Sequence, residues 1–236
     1  MLFVHEVHEV AGAHEAEFEA TFRDRMLPTL ARGRDARLLH FLHHAHGSGA
    51  SYRVVTVLAV RDGVAWQALG ERMRQGDLAA WASQLDGLRS QSAAKVLVPL
   101  PWSPLQEIDL EQLPEEPADH EPVLFMEDTV WPHVGRLDRY IERSGSHYFA
   151  SMQAQAEEGA SLLEIQAAFR NAFGAGRSRE IVLWQKVVRP KGLVPLLAGE
   201  VPERYKAPGT WLHDALEVRD RWESRLLRSA RWSPGV

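Results

Sequence analysis

The chain of 236 residues contains no cysteine. That absence excludes thiolate nucleophiles, cysteine-ligated zinc, iron–sulfur clusters and disulfide scaffolds. The chain also has no excess of positive charge, since 27 Lys and Arg residues stand against 32 Asp and Glu residues. We therefore expect no nucleic-acid partner. No apolar run approaches the roughly 20 residues of a membrane span, and no basic segment followed by an apolar one opens the chain. We expect a cytoplasmic protein with no membrane partner.

One segment is both acidic and rich in proline. From Glu107 to Pro122 there are seven acidic residues, three prolines and no basic residue. Taking its charge of −7 away from the total of −5 leaves +2 for the rest of the chain. This composition predicts an extended linker. It divides the chain into two folded parts and a connector, at residues 1–106, 107–122 and 123–236.

The two parts on either side of the linker resemble each other. The sequence Trp102-Ser103-Pro104 recurs 130 residues later as Trp232-Ser233-Pro234. Other pairs share that offset or one of 127: Trp81 with Trp211, Lys95 with Arg225, and Gly47–Ser51 with Gly174–Ser178. Such a row of matches predicts an internal duplication, the alternative being coincidence between two Trp-rich helices. Because both copies keep the tryptophans, we expect those four side chains to be architectural.

Hydrophobic periodicity predicts the same order of elements in both parts. The first part is predicted to contain a strand, a helix, a hairpin, a broken helix and a strand: Leu2–Val10, His14–Ala31, Arg37–His46 with Ser51–Arg61, Val64–Ser90 and Lys95–Leu100. The second part repeats this order: Val123–Val130, His133–Ala156, Leu163–Phe173 with Ser178–Val188, Thr210–Trp222 and Arg225–Trp232. This is the βαββαβ order of a ferredoxin-like unit, whose sheet carries helices on one face only.

The bare faces of two such sheets need cover. We therefore predict an α+β fold in which tandem ferredoxin-like repeats close an eight-stranded barrel, with the helices outside and a ligand cavity between the sheets.

The pattern resembles the dimeric α/β-barrel superfamily, and within it the NIPSNAP-like proteins. The resemblance rests on the strand Glu180–Trp184, on Trp211 in the segment that follows, and on the terminal Trp232-Ser233-Pro234, with weaker echoes in the first part. It spans nearly the whole chain, but its motifs are structural. The superfamily includes cofactor-free oxygenases, lactone isomerases, polyketide cyclases, haem-binding proteins and non-catalytic domains. The resemblance therefore implies a pocket more than a reaction.

Histidine is the conspicuous residue, with seven of the 11 histidines in the first 46 positions. Strand alternation puts His40 and His44 on the less apolar face of their strand, towards the predicted cavity. Alternation does not settle whether His5 or His8 faces inward. Three roles stay open for these residues: pocket wall, general acid or base, and metal ligand. We name His40 and His44 as base or ligands, with His5 helping.

Other residues complete the predicted site. Glu127 and Arg170 are candidate acid–base or anion-holding groups, with a structural salt bridge as the alternative for each. The candidate walls for a flat apolar ligand are Tyr52, Trp131, Tyr148 and Trp184. The sequence makes no cofactor obligatory, and metal or haem stays open. It contains no phosphate-binding loop and no Gly-x-Ser-x-Gly elbow.

Two functions fit these observations. One is a small-molecule enzyme: a cyclase, an isomerase or a monooxygenase. It would perform proton transfer, cyclisation or oxygenation. Its substrate would be apolar or aromatic, like the polyketides of natural-product biosynthesis. The other is a non-catalytic NIPSNAP-like protein that binds a ligand such as haem or interacts with a partner. A histidine-lined cavity favours the first and a packed interior favours the second. A homodimer is compatible with either.

Overall fold

The computed structural model describes residues 1–173 and 179–235. Its strands are β1 (Leu2–Val10), β2 (Ala36–His44), β3 (Arg53–Val60), β4 (Arg89–Pro99), β5 (Leu124–Pro132), β6 (Leu163–Phe173), β7 (Ile181–Val187) and β8 (Arg219–Ser229). Its helices are α1 (Glu15–Thr21), α2 (Leu27–Arg32), α3 (Gly63–Gln75), α4 (Ala79–Leu88), α5 (Leu137–Arg143), α6 (Ala150–Glu157), α7 (Leu193–Ala198) and α8 (Trp211–Asp214). A π-helical turn joins α1 to α2 at Phe22–Met26, and another joins α5 to α6 at Ser144–Phe149.

The strands close into one barrel in the order β1-β3-β2-β8-β5-β7-β6-β4, and every neighbouring pair is antiparallel. Each half thus contributes a sheet of the ferredoxin-like order, β4-β1-β3-β2 and β8-β5-β7-β6. The eight-stranded barrel with helices outside is confirmed. Because β1 and β5 lie four strands apart in the ring, they run in the same direction. We call the barrel end where both begin the lower end and the other the upper end.

The strand faces follow from alternation and from bulges. On β1, Phe3 and His5 face the barrel interior, while Val4 and Val10 pack under the helices. On β2, a register shift between Leu38 and His40 interrupts the alternation, so that both Leu39 and His40 are buried on the interior side. The corresponding shift in β6 lies between Ile165 and Ala167.

Apolar side chains fill the lower part of the barrel. The cluster they form draws on all eight strands and on both halves, and its members include Phe3, Leu39, Leu97, Phe125, Phe169 and Leu227. Phe3 and Phe169 pack with their ring centroids 4.9 Å apart. The acidic segment runs from the lower end of β4 to the lower end of β5, and its Leu110 and Leu113 join the same cluster. The predicted linker therefore also seals the lower end of the barrel.

The repeated Trp-Ser-Pro sequences occupy corresponding positions. The hydroxyl of Ser103 accepts a hydrogen bond from the backbone N–H of Ala168 at 2.9 Å, and the hydroxyl of Ser233 accepts one from Phe41 at 2.8 Å. Positions 41 and 168 are themselves 127 residues apart, which is the offset that relates β2 to β6. Each terminus thus packs on the opposite half of the chain.

Three predicted elements differ from the structure. The segment Thr210–Trp222 is not one helix, because only the short α8 and a 3₁₀ turn at Ala215–Glu217 precede β8. Both closing strands begin six residues earlier than predicted, at Arg89 and Arg219. The predicted match at Gly174–Ser178 lies outside the described residues.

Candidate functional site

The polar groups of the barrel interior lie one step above the apolar layer. His5 follows Phe3 on the inner face of β1, and Glu127 follows Phe125 on that of β5. The two side chains meet across the barrel, with His5 Nε2 2.7 Å from Glu127 Oε2. His5 is 1% exposed and Glu127 is 2% exposed. A tryptophan completes the contact, because Trp184 Nε1 donates to the same carboxylate oxygen at 3.1 Å.

The carboxylate of this pair is ionised. Burial alone would raise the pKa of Glu127, but the charge and hydrogen bond of His5, aided by Lys95 and Trp184, lower that pKa to about 2. An ionised carboxylate can only accept, so the Nε2 of His5 carries the proton of their hydrogen bond. The other ring nitrogen, Nδ1, is buried and has no hydrogen-bond partner. The charge that lowers the pKa of Glu127 is that of the imidazolium, in which both ring nitrogens carry a proton. When Nδ1 releases its proton, it becomes a proton acceptor held in place by the hydrogen bond to Glu127.

Two basic residues flank this pair at corresponding positions. Lys95 is in register with His5 on β4, and Arg225 is in register with Glu127 on β8. Lys95 Nζ is 2.6 Å from Glu180, and Arg225 is 3.0 Å from Glu223. The sequence comparison had paired Lys95 with Arg225 without assigning them to the site. Lys95 lies two residues before the buried Leu97, and Arg225 lies two residues before the buried Leu227. This spacing could have placed both basic residues on the inner face.

Solvent reaches the barrel from the upper end. Moving up the inner face of β4, Leu97 is buried, Lys95 is half-buried and Ala93 is exposed. On β8 the same positions are Leu227, Arg225 and Glu223, with the same trend. The His5–Glu127 pair thus lies at the boundary between the packed lower interior and an open, charged upper mouth.

The other predicted histidines also lie inside the barrel. His40 packs with ring-centroid distances of 5.5 Å against both Phe125 and Trp184. Burial lowers the pKa of His40 to about 4. His44 lies nearer the upper rim, where burial and the positive charge of Arg225 lower its pKa to about 4. Neither ring nitrogen of His44 has a hydrogen-bond partner.

The histidines do not form a metal centre. His5 meets one carboxylate, whereas His40 meets aromatic rings. Within residues 1–173 and 179–235, no three His, Asp or Glu side chains come together in an arrangement that could hold a metal ion. The arrangement brings the candidates His5, His40 and His44 into one interior without making them a ligand set.

The remaining predicted site residues are dispersed. Trp131 lies at the upper rim and its Nε1 donates to Glu180 at 3.2 Å. Tyr52 is half exposed in the hairpin loop and, with His44, lines a cavity of about 300 Å³. Tyr148 lies outside the barrel, where its hydroxyl donates to Gln185 at 2.5 Å. Arg170 is exposed on the outer face of β6. Tyr148 and Arg170 therefore do not share the interior with the histidines.

Comparison with known proteins identifies the fold. A candidate monooxygenase from Lactobacillus acidophilus superposes over 98% of this chain and 97% of its own, with a TM-score of 0.59 and 7% identity. An anthrone oxidase-like protein covers 99% of this chain and 93% of its own, with a TM-score of 0.57 and 9% identity. The chain thus has the dimeric α/β-barrel fold, and the resemblance predicted from the sequence is confirmed at that level.

A NIPSNAP domain protein from Burkholderia xenovorans matches only part of the chain. It is 21% identical and covers 44% of this chain and 99% of its own, with a TM-score of 0.37. No protein-family model matches the sequence. No curated protein matches it either. Among the described residues, no helix has the length and apolar character needed to cross a bilayer.

Proposed function

We propose that this protein is a small-molecule enzyme that abstracts a proton in the upper part of the barrel, with His5 as the base and Glu127 as its orienting partner. The observation that carries the proposal is the buried Nδ1 of His5, which has no hydrogen-bond partner while Glu127 binds the opposite ring nitrogen. A carboxylate in this position fixes the tautomer of the imidazole and stabilises the imidazolium that forms.

The reaction is proton transfer from an acidic carbon or a phenol. The proton moves to Nδ1 of His5, and the substrate keeps the electron pair as a carbanion or phenolate. Lys95 and Arg225 supply positive charge beside that anion. Cyclisation and addition of molecular oxygen both proceed from such an anion. The aromatic wall provided by Trp184 and Trp131 suits a flat, mostly apolar substrate.

A generic carbon acid tests the proposal. Anthrone is flat and aromatic, and its methylene protons exchange with D₂O through a carbanion that NMR can follow under anaerobic conditions. We expect the protein to accelerate this exchange, and we expect His5→Gln or Glu127→Gln to reduce the acceleration by about 10²-fold or more. His8→Gln is the matched control, because His8 lies on the other face of β1, against Phe18. Exchange that is unchanged in His5→Gln, or absent from the wild type, contradicts the proposal.

A second candidate function is non-catalytic binding. It is favoured by the tight apolar packing of the lower barrel and by the ion pairs at the upper rim, Lys95 with Glu180 and Arg53 with Glu9. In that case anthrone or a similar ligand binds in the upper mouth, but the exchange rate of the bound molecule equals that in buffer.

We also infer that the two halves descend from one duplicated unit. The starts of the two π-helical turns are 122 residues apart in the sequence. The bulges of β2 and β6 are 127 residues apart. Corresponding serines accept corresponding backbone hydrogen bonds. Local irregularities that recur at corresponding places in both halves support common descent more strongly than a shared strand order does.

A further inference from the structure

A second feature lies on the outer surface of the second half. A groove of about 570 Å³ opens between the lower end of β4 and the helix formed by α5 and its π-helical turn. Pro101, Trp102 and Ile141 provide its apolar wall. The volume falls within the range of about 300–1,000 Å³ that is usual for small-molecule sites.

The corresponding place in the first half is filled by the protein's own side chains. Trp232, which corresponds to Trp102, is 3% exposed, and its Nε1 donates to Glu19 at 2.8 Å. Glu19 also contacts His43 Nε2 at 2.9 Å. A hydrogen-bonded Trp–Glu–His network therefore occupies the position.

Three substitutions between the halves open the groove. Ile141 stands at the position of Glu19, Gly145 at that of Arg23, and Arg170 at that of His43. Without a glutamate to bind, Trp102 donates to the backbone carbonyl of Ile141 at 2.9 Å and stays half-buried. A Cβ atom on Gly145 would lie 2.6 Å from Trp102 Cδ1, so glycine is needed for the indole to approach the helix. The second half thus keeps the tryptophan and lacks the network that covers it.

The charged side chains of the groove are predominantly acidic. Asp138 and Glu142 are four residues apart on one helix face, and both are exposed and line the groove. The neighbouring Arg139 and Arg143 pair with Glu217 instead. Two like charges at this spacing destabilise a helix unless a cation lies between them. With the single positive charge of Arg170, the groove has a net charge of −1.

We propose that this groove binds a small molecule that carries a flat apolar group and an ammonium group. The flat group packs against Trp102 and Ile141, and the ammonium group lies between the carboxylates of Asp138 and Glu142. The groove lies outside the barrel, so this site is separate from His5 and Glu127, and its ligand does not depend on the reaction proposed for them.

Calorimetric titration with 2-phenylethylamine tests the proposal on the intact protein. We expect saturable binding that shifts the indole N–H signal of Trp102 in a ¹⁵N spectrum, assigned by its loss in Trp102→Phe. Phenylacetate has a similar body and the opposite charge, and it should bind at least tenfold more weakly. The double variant Asp138→Asn/Glu142→Gln should lose at least tenfold in affinity for the amine.

A matched variant removes two carboxylates elsewhere. Glu157 and Glu158 are exposed at the end of α6, about 22–24 Å along the helix from Glu142 at 1.5 Å per residue. Glu157→Gln/Glu158→Gln should change the affinity by less than twofold. The proposal is overturned by the absence of saturable binding, by equal affinity for phenylacetate, by unchanged affinity in Asp138→Asn/Glu142→Gln, or by a bound amine that leaves the Trp102 signal unmoved. A circular dichroism spectrum of each variant establishes that it is folded.

Discussion

Burial lowers the pKa values of the interior histidines His40 and His44. Their positions in the sequence alone do not indicate this. His40 is packed between aromatic rings, and its pKa falls to about 4 because water no longer solvates the imidazolium. The unfolded chain, with an ordinary histidine pKa near 6.5, takes up the proton first as the pH falls. Protonation of His40 therefore favours unfolding. The free energy of unfolding falls as the pH is lowered from about 6.5 to about 4.

The lowered pKa of His40 predicts how the stability of the protein depends on pH. Between about pH 7.5 and about pH 5, His40 should account for a loss of about 2 kcal/mol in the free energy of unfolding. Urea denaturation at the two pH values measures it, and His40→Leu should show a correspondingly smaller loss. His46 is exposed, so His46→Leu serves as the control and should keep the wild-type pH dependence. Identical pH dependence in His40→Leu and the wild type would show that His40 titrates normally.

The sequence located part of the candidate site. Alternation placed His40 and His44 on the inner face, because their neighbours Phe41 and His43 continue the opposite, helix-facing side. The same rule could not choose between His5 and His8, since β1 has apolar residues on both faces. The contact between His5 and Glu127 was also beyond local patterns. It depends on closure of the barrel between residues 122 positions apart.

At the level of elements, the errors have a common cause. After their first residues, β4 and β8 extend through the open upper end, where residues 90–94 and 220–224 are exposed on both strand faces. Without a buried face there is no alternation of apolar and polar residues, and the strand cannot be recognised from the sequence. Backbone pairing defines these segments instead, β4 with β1 and β8 with β5. In the second half, the same polar stretch was assigned to a helix.

The two closing segments provide a paired prediction. Ser103 and Ser233 each accept a hydrogen bond from a buried backbone N–H on the opposite half. Ser103→Ala and Ser233→Ala should each lower the free energy of unfolding by about 1–3 kcal/mol, because each leaves one buried N–H without a partner. Chemical denaturation measures both losses. Ser83→Ala, at an exposed site, is the control. A large loss in one variant and none in the other would argue against corresponding roles for the two termini.

At the level of the whole molecule, the barrel interior belongs to both halves and to the linker. Residues from 1–106 and 123–236 interlock in one apolar cluster, which Leu110 and Leu113 cover from below. Neither sheet buries its inner face without the other. We therefore expect the two halves to unfold together rather than as separate domains.

Coincident transitions check this expectation. Urea unfolding followed by far-ultraviolet circular dichroism and by tryptophan fluorescence should give one shared midpoint. Leu110→Ala should lower that midpoint for both signals by an amount equivalent to about 2–5 kcal/mol, because it leaves a cavity under the barrel. Leu216→Ala removes a side chain that is 54% exposed and should have little effect. Two separate midpoints would mean that the halves are thermodynamically independent.

The shared direction of β1 and β5 has one more consequence. In a barrel assembled from two identical subunits, a contact between equivalent positions across the dyad joins two copies of the same residue, so a histidine at the equivalent positions 5 and 127 could only face another histidine. Continuity of the chain removes that restriction. It lets a proton acceptor face a fixed negative charge, a pairing of unlike groups that a strictly symmetric assembly of the same shape cannot make at this position.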